Sequence, residues 1–175
     1  MLELPTTSTY NPWQIAFAGI VLGLSISLAR HQLIGAVPAT TSYSAFAGAF
    51  AMLAALIGVA AIFVEAIQGL IMPIIDALAA LLLLAAGIAI AVGLKGVSCT
   101  DRFTVIPNKL LNGGGCVALD GGYGCAWKDD NELKGRCQKA EADAVFIFLA
   151  CLVTLGLIGL AFLSRKRGGG QKAVV

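Results

Sequence analysis

Four charged residues, Glu3, Arg30, Glu65 and Asp76, are all that the first 94 residues of this 175-residue chain carry. Such a segment cannot build a surface that faces water. The hydrocarbon core of a bilayer, about 30 Å thick, instead demands it, at about 20 apolar residues per spanning helix. The whole chain is 58% hydrophobic and 13% charged, which excludes disorder and an ordinary soluble domain. Fourteen of its charges, seven of each sign, fall between Lys95 and Asp143. A net charge of +2, with no basic stripe and interleaved aromatics, argues against a nucleic-acid partner.

The apolar runs define four spans. The first, Trp13 to Ala29, is opened by Asn11-Pro12 and closed by Arg30-His31. It is not read as a cleaved signal, because no basic residue precedes it. The second runs from Tyr43 to Val64 without a charge. A third stretch, Ala66 to Leu94, would reach about 43 Å as one helix. Pro73, at home in a first helical turn, shortens it to a span over 73–94, with 65–72 as a turn at the membrane face. The fourth covers 144–163 and ends at Arg165-Lys166-Arg167. The expected fold is an all-α membrane protein. It has an N-terminal segment 1–12, a four-helix domain over 13–163, an outer loop at 95–143 and a basic tail at 164–175.

Orientation is contested between two signals. A raw count of Lys and Arg near span ends favours a cytoplasmic loop. Cysteine usage favours an extracellular one, since Cys99, Cys116, Cys125 and Cys137 form an even set in a loop of about 50 residues. In CVALDGGYGC, a type I′ turn at Asp120-Gly121 pairs Leu119 with Gly122, Ala118 with Tyr123, Val117 with Gly124 and Cys116 with Cys125. A β-hairpin with its own disulfide follows, which leaves Cys99 for Cys137. Zinc is the rival reading, but no C-x-x-C occurs and the single histidine, His31, is distant. Disulfides place the loop outside and both termini in the cytoplasm. Cys151, inside the fourth span, reads as a small buried apolar residue.

Enzymatic sites are missing from the pattern. There is no Gly-x-Ser-x-Gly, no phosphate loop and no metal-spaced ligand set, and Gly113-Gly114-Gly115 lacks the strand-to-helix setting of a phosphate cradle. No catalytic residue, cofactor or metal is expected. Asp76 and Glu65 are the ionisable groups at membrane depth, which makes them candidate relay residues by default. The simpler reading puts Asp76 in the first turn of its helix, within reach of Arg165 or Lys166, and Glu65 at a solvated boundary. Small residues at four-residue spacing offer close helix packing, with Gly19, Gly23, Gly58, Gly87 and Gly93 among them. The tail basics, Arg165, Lys166 and Arg167, suit anionic inner-leaflet lipid.

Several blocks carry a family resemblance: GLSISLARHQ, YSAFAGAFAMLAALIG, DALAALLLLAAGIAIAVGLKGVSC and RCQKAEADAVFIFLAC. The resemblance they carry covers about Ile20 to Leu163. The most specific feature is Asp76, then Ser-Cys at Cys99, then Arg-Cys at Cys137. In these blocks the chain resembles the fungal MARVEL-domain proteins of the non-classical export protein type. The resemblance implies cytoplasmic termini and a plasma-membrane organiser of furrow-like domains called eisosomes, with roles in membrane apposition, sphingolipid sensing and unconventional export. Asp76, Cys99 and Cys137 match recurring family positions, whereas Cys116 and Cys125 look like an addition.

The leading expectation is a non-enzymatic organiser whose partners are membrane lipids, further copies of itself or other membrane-domain proteins. A small channel or transporter using Asp76 is one alternative. An adhesion or receptor-like protein acting through the outer loop is another.

Overall fold

The computed structural model describes residues 12–33, 35–61, 71–127 and 129–169, with side chains to residue 163. Helices α1 (Pro12–Arg30), α2 (Ala39–Ala60) and α3 (Ile71–Gly93) lead to a short α4 (Arg102–Val105). The strands β1 (Cys116–Leu119) and β2 (Gly122–Cys125) follow, and then one long helix, α5 (Asp130–Gly169). Among the described residues, four segments are long and apolar enough to cross a membrane: Pro12–Arg30, Ala39–Ala60, Ile71–Gly93 and Asp130–Leu163.

These four pack as a closed ring. α1 lies against α2 and α5, and α3 lies against the same two. The buried positions recur at alternating steps of three and four. They are Gln14, Ala18, Val21, Ser25 and Leu28 on α1, and Leu133, Cys137, Ala140, Ala144, Ile147 and Cys151 on α5. That period is the seam of near-parallel helices. Ala18, Ser25, Ala140 and Ala144 keep much of the seam small, while Trp13, Ile20, Phe46, Leu53, Leu81, Leu152 and Phe162 point outward. In lipid no hydrophobic force drives helices together, so small faces permit close backbone approach and large side chains meet the acyl chains.

Pro73 is the third residue of α3, where its missing N–H costs no helical hydrogen bond. The turn expected at 65–72 falls largely outside the described residues, and residues 71 and 72 are helical. The fourth helix departs most from expectation. Residues 130–143, read as the end of the outer loop, form the first turns of α5. Their charges had suggested a loop, but Leu133, Cys137 and Ala140 continue the buried seam outward. At 40 residues the helix is about 60 Å long, twice the hydrocarbon thickness. Asp129 caps it, accepting from the Asn131 N–H at 3.3 Å and from Asn131 Nδ2 at 2.9 Å. Those bonds, the side-chain one foremost, hold the Asp129 carboxyl below its ordinary range.

The remaining segment between α3 and α5 folds around a second core. Val105, Ile106, Leu111, Cys116, Leu133 and Cys137 cluster with Leu28 at the end of α1. Asn108 Nδ2 donates to the Gly93 carbonyl at 2.8 Å and so closes the C-terminus of α3. β1 and β2 pair antiparallel in the expected register, with Cys116 opposite Cys125. Their turn is not type I′. Only Gly121 has positive φ, at 93°, and Asp120 does not, a pattern that belongs to a type II turn.

Candidate functional site

The seam positions bring three polar side chains together inside the bundle. Asp143 of α5 is wholly buried. Its Oδ2 accepts from Ser25 Oγ of α1 at 2.8 Å and lies 3.3 Å from Ser44 Oγ of α2. The two hydroxyls are 2.6 Å apart, and Ser44 Oγ is 3.2 Å from the Thr41 carbonyl. Each serine has one hydrogen to give. With Ser25 donating to the carboxylate, the short Ser25–Ser44 contact is satisfied by Ser44 donating to Ser25, so the two hydrogens run in one direction toward Asp143. The second carboxylate oxygen, Oδ1, is buried without a partner. The cluster ties three helices together by one hydroxyl chain that ends on Asp143, about 8 Å inside the ends of α1 and α2.

Seven residues earlier on the same face of α5 stands Arg136, 4% exposed. Its Nη1 donates to the carbonyls of Leu28 and His31 at 2.8 and 3.1 Å, and its Nη2 to Gln32 Oε1 at 3.3 Å. The last carbonyls of a helix lack intrahelical partners and carry its negative pole. A planar guanidinium from α5 therefore serves as the C-terminal cap of α1.

The glycine run packs around this arginine. A Cβ at Gly113 would lie 3.0 Å from Arg136 Cζ and 2.9 Å from Trp127 Cζ2, and one at Gly115 would lie 2.7 Å from the Trp127 ring at Cδ1. Gly113 and Gly114 also hold φ of 60° and 72°, which suits glycine. Trp127 Nε1 donates to the Asn112 carbonyl at 2.7 Å, and the Leu33 N–H donates to the Gly113 carbonyl at 2.8 Å. The run is thus a seat for an indole.

Between α1 and α5, beside Trp127, opens a cavity of about 250 Å³ lined by Ser27, Leu28, His31, Trp127, Glu132, Gly135, Arg136 and Lys139. Lys139 Nζ donates to Ser27 Oγ at 3.3 Å. His31 Nδ1 contacts the Ser27 backbone carbonyl, not its hydroxyl, at 2.6 Å. Since a carbonyl only accepts, Nδ1 carries the proton there and is not a base for Ser27.

Disulfides join Cys99 to Cys137 and Cys116 to Cys125. Glu141 lies beside the first pair, with its ligand oxygen and both sulfurs within 4.8 Å of one another. The sulfurs are committed to each other, so the trio offers no thiolates for a metal. Cys151 is buried in the bundle, with its Sγ 3.5 Å from the Ala80 carbonyl.

The other expected residues are scattered. Asp76 accepts from Gln14 Nε2 at 3.4 Å, linking α3 to α1. Its expected partners, Arg165 and Lys166, have side chains outside the described set, as does that of Arg167, and Glu65 lies outside the described residues. A Cβ at Gly87 would meet Phe148 at 3.0 Å, one at Gly93 would meet Leu110 at 2.8 Å and one at Gly19 would meet Met52 at 3.1 Å. Gly58 has only an ordinary contact with Met72, and Gly23 faces open space. Sequence reasoning passed over Gly48, where a Cβ would come within 3.0 Å of the Leu22 backbone. It also passed over Arg136 and Asp143. Their signal was the three-and-four spacing from Leu133 to Ile147, which the surrounding charges hid.

A family model described as MARVEL, a membrane-associating domain, matches residues 12–160. The chain belongs to the MARVEL family. No curated protein and no solved structure matches it. The match takes in the four apolar helices and the segment between α3 and α5. In this MARVEL domain the segment between α3 and α5 is a folded cap whose core includes the end of α1.

Proposed function

We propose that this MARVEL protein is a non-enzymatic organiser of plasma-membrane patches, with both termini cytoplasmic and the disulfide-bonded cap outside. One observation carries the reading. Polar side chains of the bundle are turned inward onto one another, as in Ser25, Ser44 and Asp143, while large apolar groups such as Phe46, Leu53, Leu81, Leu152 and Phe162 are exposed on its outside. Such a molecule acts through what its outer face does to lipid and to neighbouring helices. The family resemblance supplies the finer role: furrow-like, eisosome-type domains, membrane apposition, a sphingolipid link and unconventional export.

Adhesion through the cap is a second reading, favoured by its buried core around Val105, Ile106 and Leu111. Imaging of the tagged full chain against a variant lacking residues 113–126 separates the two. An organiser working through its spans still forms clusters without the hairpin, and loss of clustering would favour adhesion. Orientation is checked by thiol mapping: Cys116 and Cys125 found free and reachable from the cytoplasm would overturn it.

A further inference from the structure

The cavity between the last turn of α1 and the first turns of α5 lies at a particular height. α1 is an apolar helix closed by Arg30 and His31, so its end marks the boundary between hydrocarbon and water, the level of lipid headgroups. Tryptophan is favoured at that level, and Trp127 forms one wall.

The charges of the wall are unequal. Arg136 and Lys139 stand against one acid, Glu132. Arg136 is held by two carbonyls and Gln32, so it contributes a fixed positive field and cannot swing out. Lys139 is exposed and makes one long bond, to Ser27. An ammonium has three N–H groups, so two remain for an acceptor entering the cavity. Gly135 leaves that side open.

We propose that this cavity binds the phosphate of a lipid headgroup from the leaflet on the cap side, with Lys139 as the direct donor. The inference rests on the membrane-organiser reading and names the lipid chemistry it uses. Position decides the source: a phosphate fixed at the bilayer surface is present at this height at high local concentration, unlike a solute.

The test uses the full chain, purified and delipidated, titrated with phosphatidylglycerol or with diacylglycerol of the same acyl chains and read by native mass spectrometry. Phosphatidylglycerol is expected to be retained about tenfold over diacylglycerol, as one charge-assisted hydrogen bond allows. Lys139→Gln should abolish that preference, and Lys139→Arg should restore most of it. Disulfide mapping and helicity confirm that each variant is folded. Equal retention of both lipids by the wild type, or an unchanged preference in Lys139→Gln, overturns the assignment. Displacement of the lipid by inorganic phosphate at about equal concentration overturns the lipid as the source. These failures leave the organiser reading intact, because clustering is measured independently of lipid retention.

Discussion

Arg136 and Asp143 stand two turns apart on one face of α5, and each fastens a different level of α1: Arg136 the terminal carbonyls of Leu28 and His31, Asp143 the hydroxyl of Ser25. Opposite charges are thus used for opposite tasks on the same pair of helices. The cation caps a dipole at the membrane boundary, and the acid ends a chain of hydroxyls inside the bundle.

Asp143 acts as the acceptor at the end of the Ser44–Ser25 hydroxyl chain, so the amide isostere keeps most of what it does. Asp143→Asn should change stability by less than about 1 kcal/mol, whereas Asp143→Ala should cost about 2 kcal/mol through lost interhelical hydrogen bonds and a cavity. Chemical unfolding in detergent micelles measures both. Equal losses would mean that the charge, not the acceptor, matters.

Lysine cannot replace Arg136. A point-charge ammonium lacks the planar fork that reaches two carbonyls and an amide at once, so Arg136→Lys should lose about 2 kcal/mol. Hydrogen exchange should rise locally at residues 27–33. Unchanged exchange there would show that the cap is not needed.

Gly115→Ala pushes a methyl group into the indole. A loss of about 1 to 3 kcal/mol is expected from overpacking, with a red shift in Trp127 emission measured in a Trp13→Phe background. Gly23→Ala, which meets nothing within 4 Å, is the neutral control.

The two disulfides close loops of different length, with sequence separations of 38 and 9. The chain-entropy relation gives about 4 kcal/mol for the Cys99–Cys137 link and about 2.5 kcal/mol for the hairpin link. Paired serine variants, compared by unfolding, should rank in that order. A reversed ranking would show that the hairpin, not the junction of α3 with α5, limits the stability of the cap.

The spans were legible in the sequence because uncharged length is a one-dimensional property. So was the hairpin register, since Asp120-Gly121 sits midway between Cys116 and Cys125. The buried charges were not legible in the same way. Arg136 and Asp143 lie among exposed Lys134, Lys139 and Glu141, and only a helical projection carried outward from Ile147 separates the two groups. Gly48 escaped for another reason: small residues are so common in these helices that spacing alone does not say which ones meet a neighbouring backbone. Asp120 shows the limit of turn chemistry, since a dipeptide suited to type I′ adopted a turn that needs positive φ only at Gly121.

The continuity of α5 has a mechanical meaning. From Arg136 to Arg165 the helix advances about 44 Å, with a folded cap at one end and a basic triplet at the other, and no break between them. The protein therefore carries a caliper of fixed opening. Where the bilayer is thinner than that opening the rod must lean, and where it is thicker the lipid must thin around it, so membrane thickness itself becomes a quantity to which the molecule is matched.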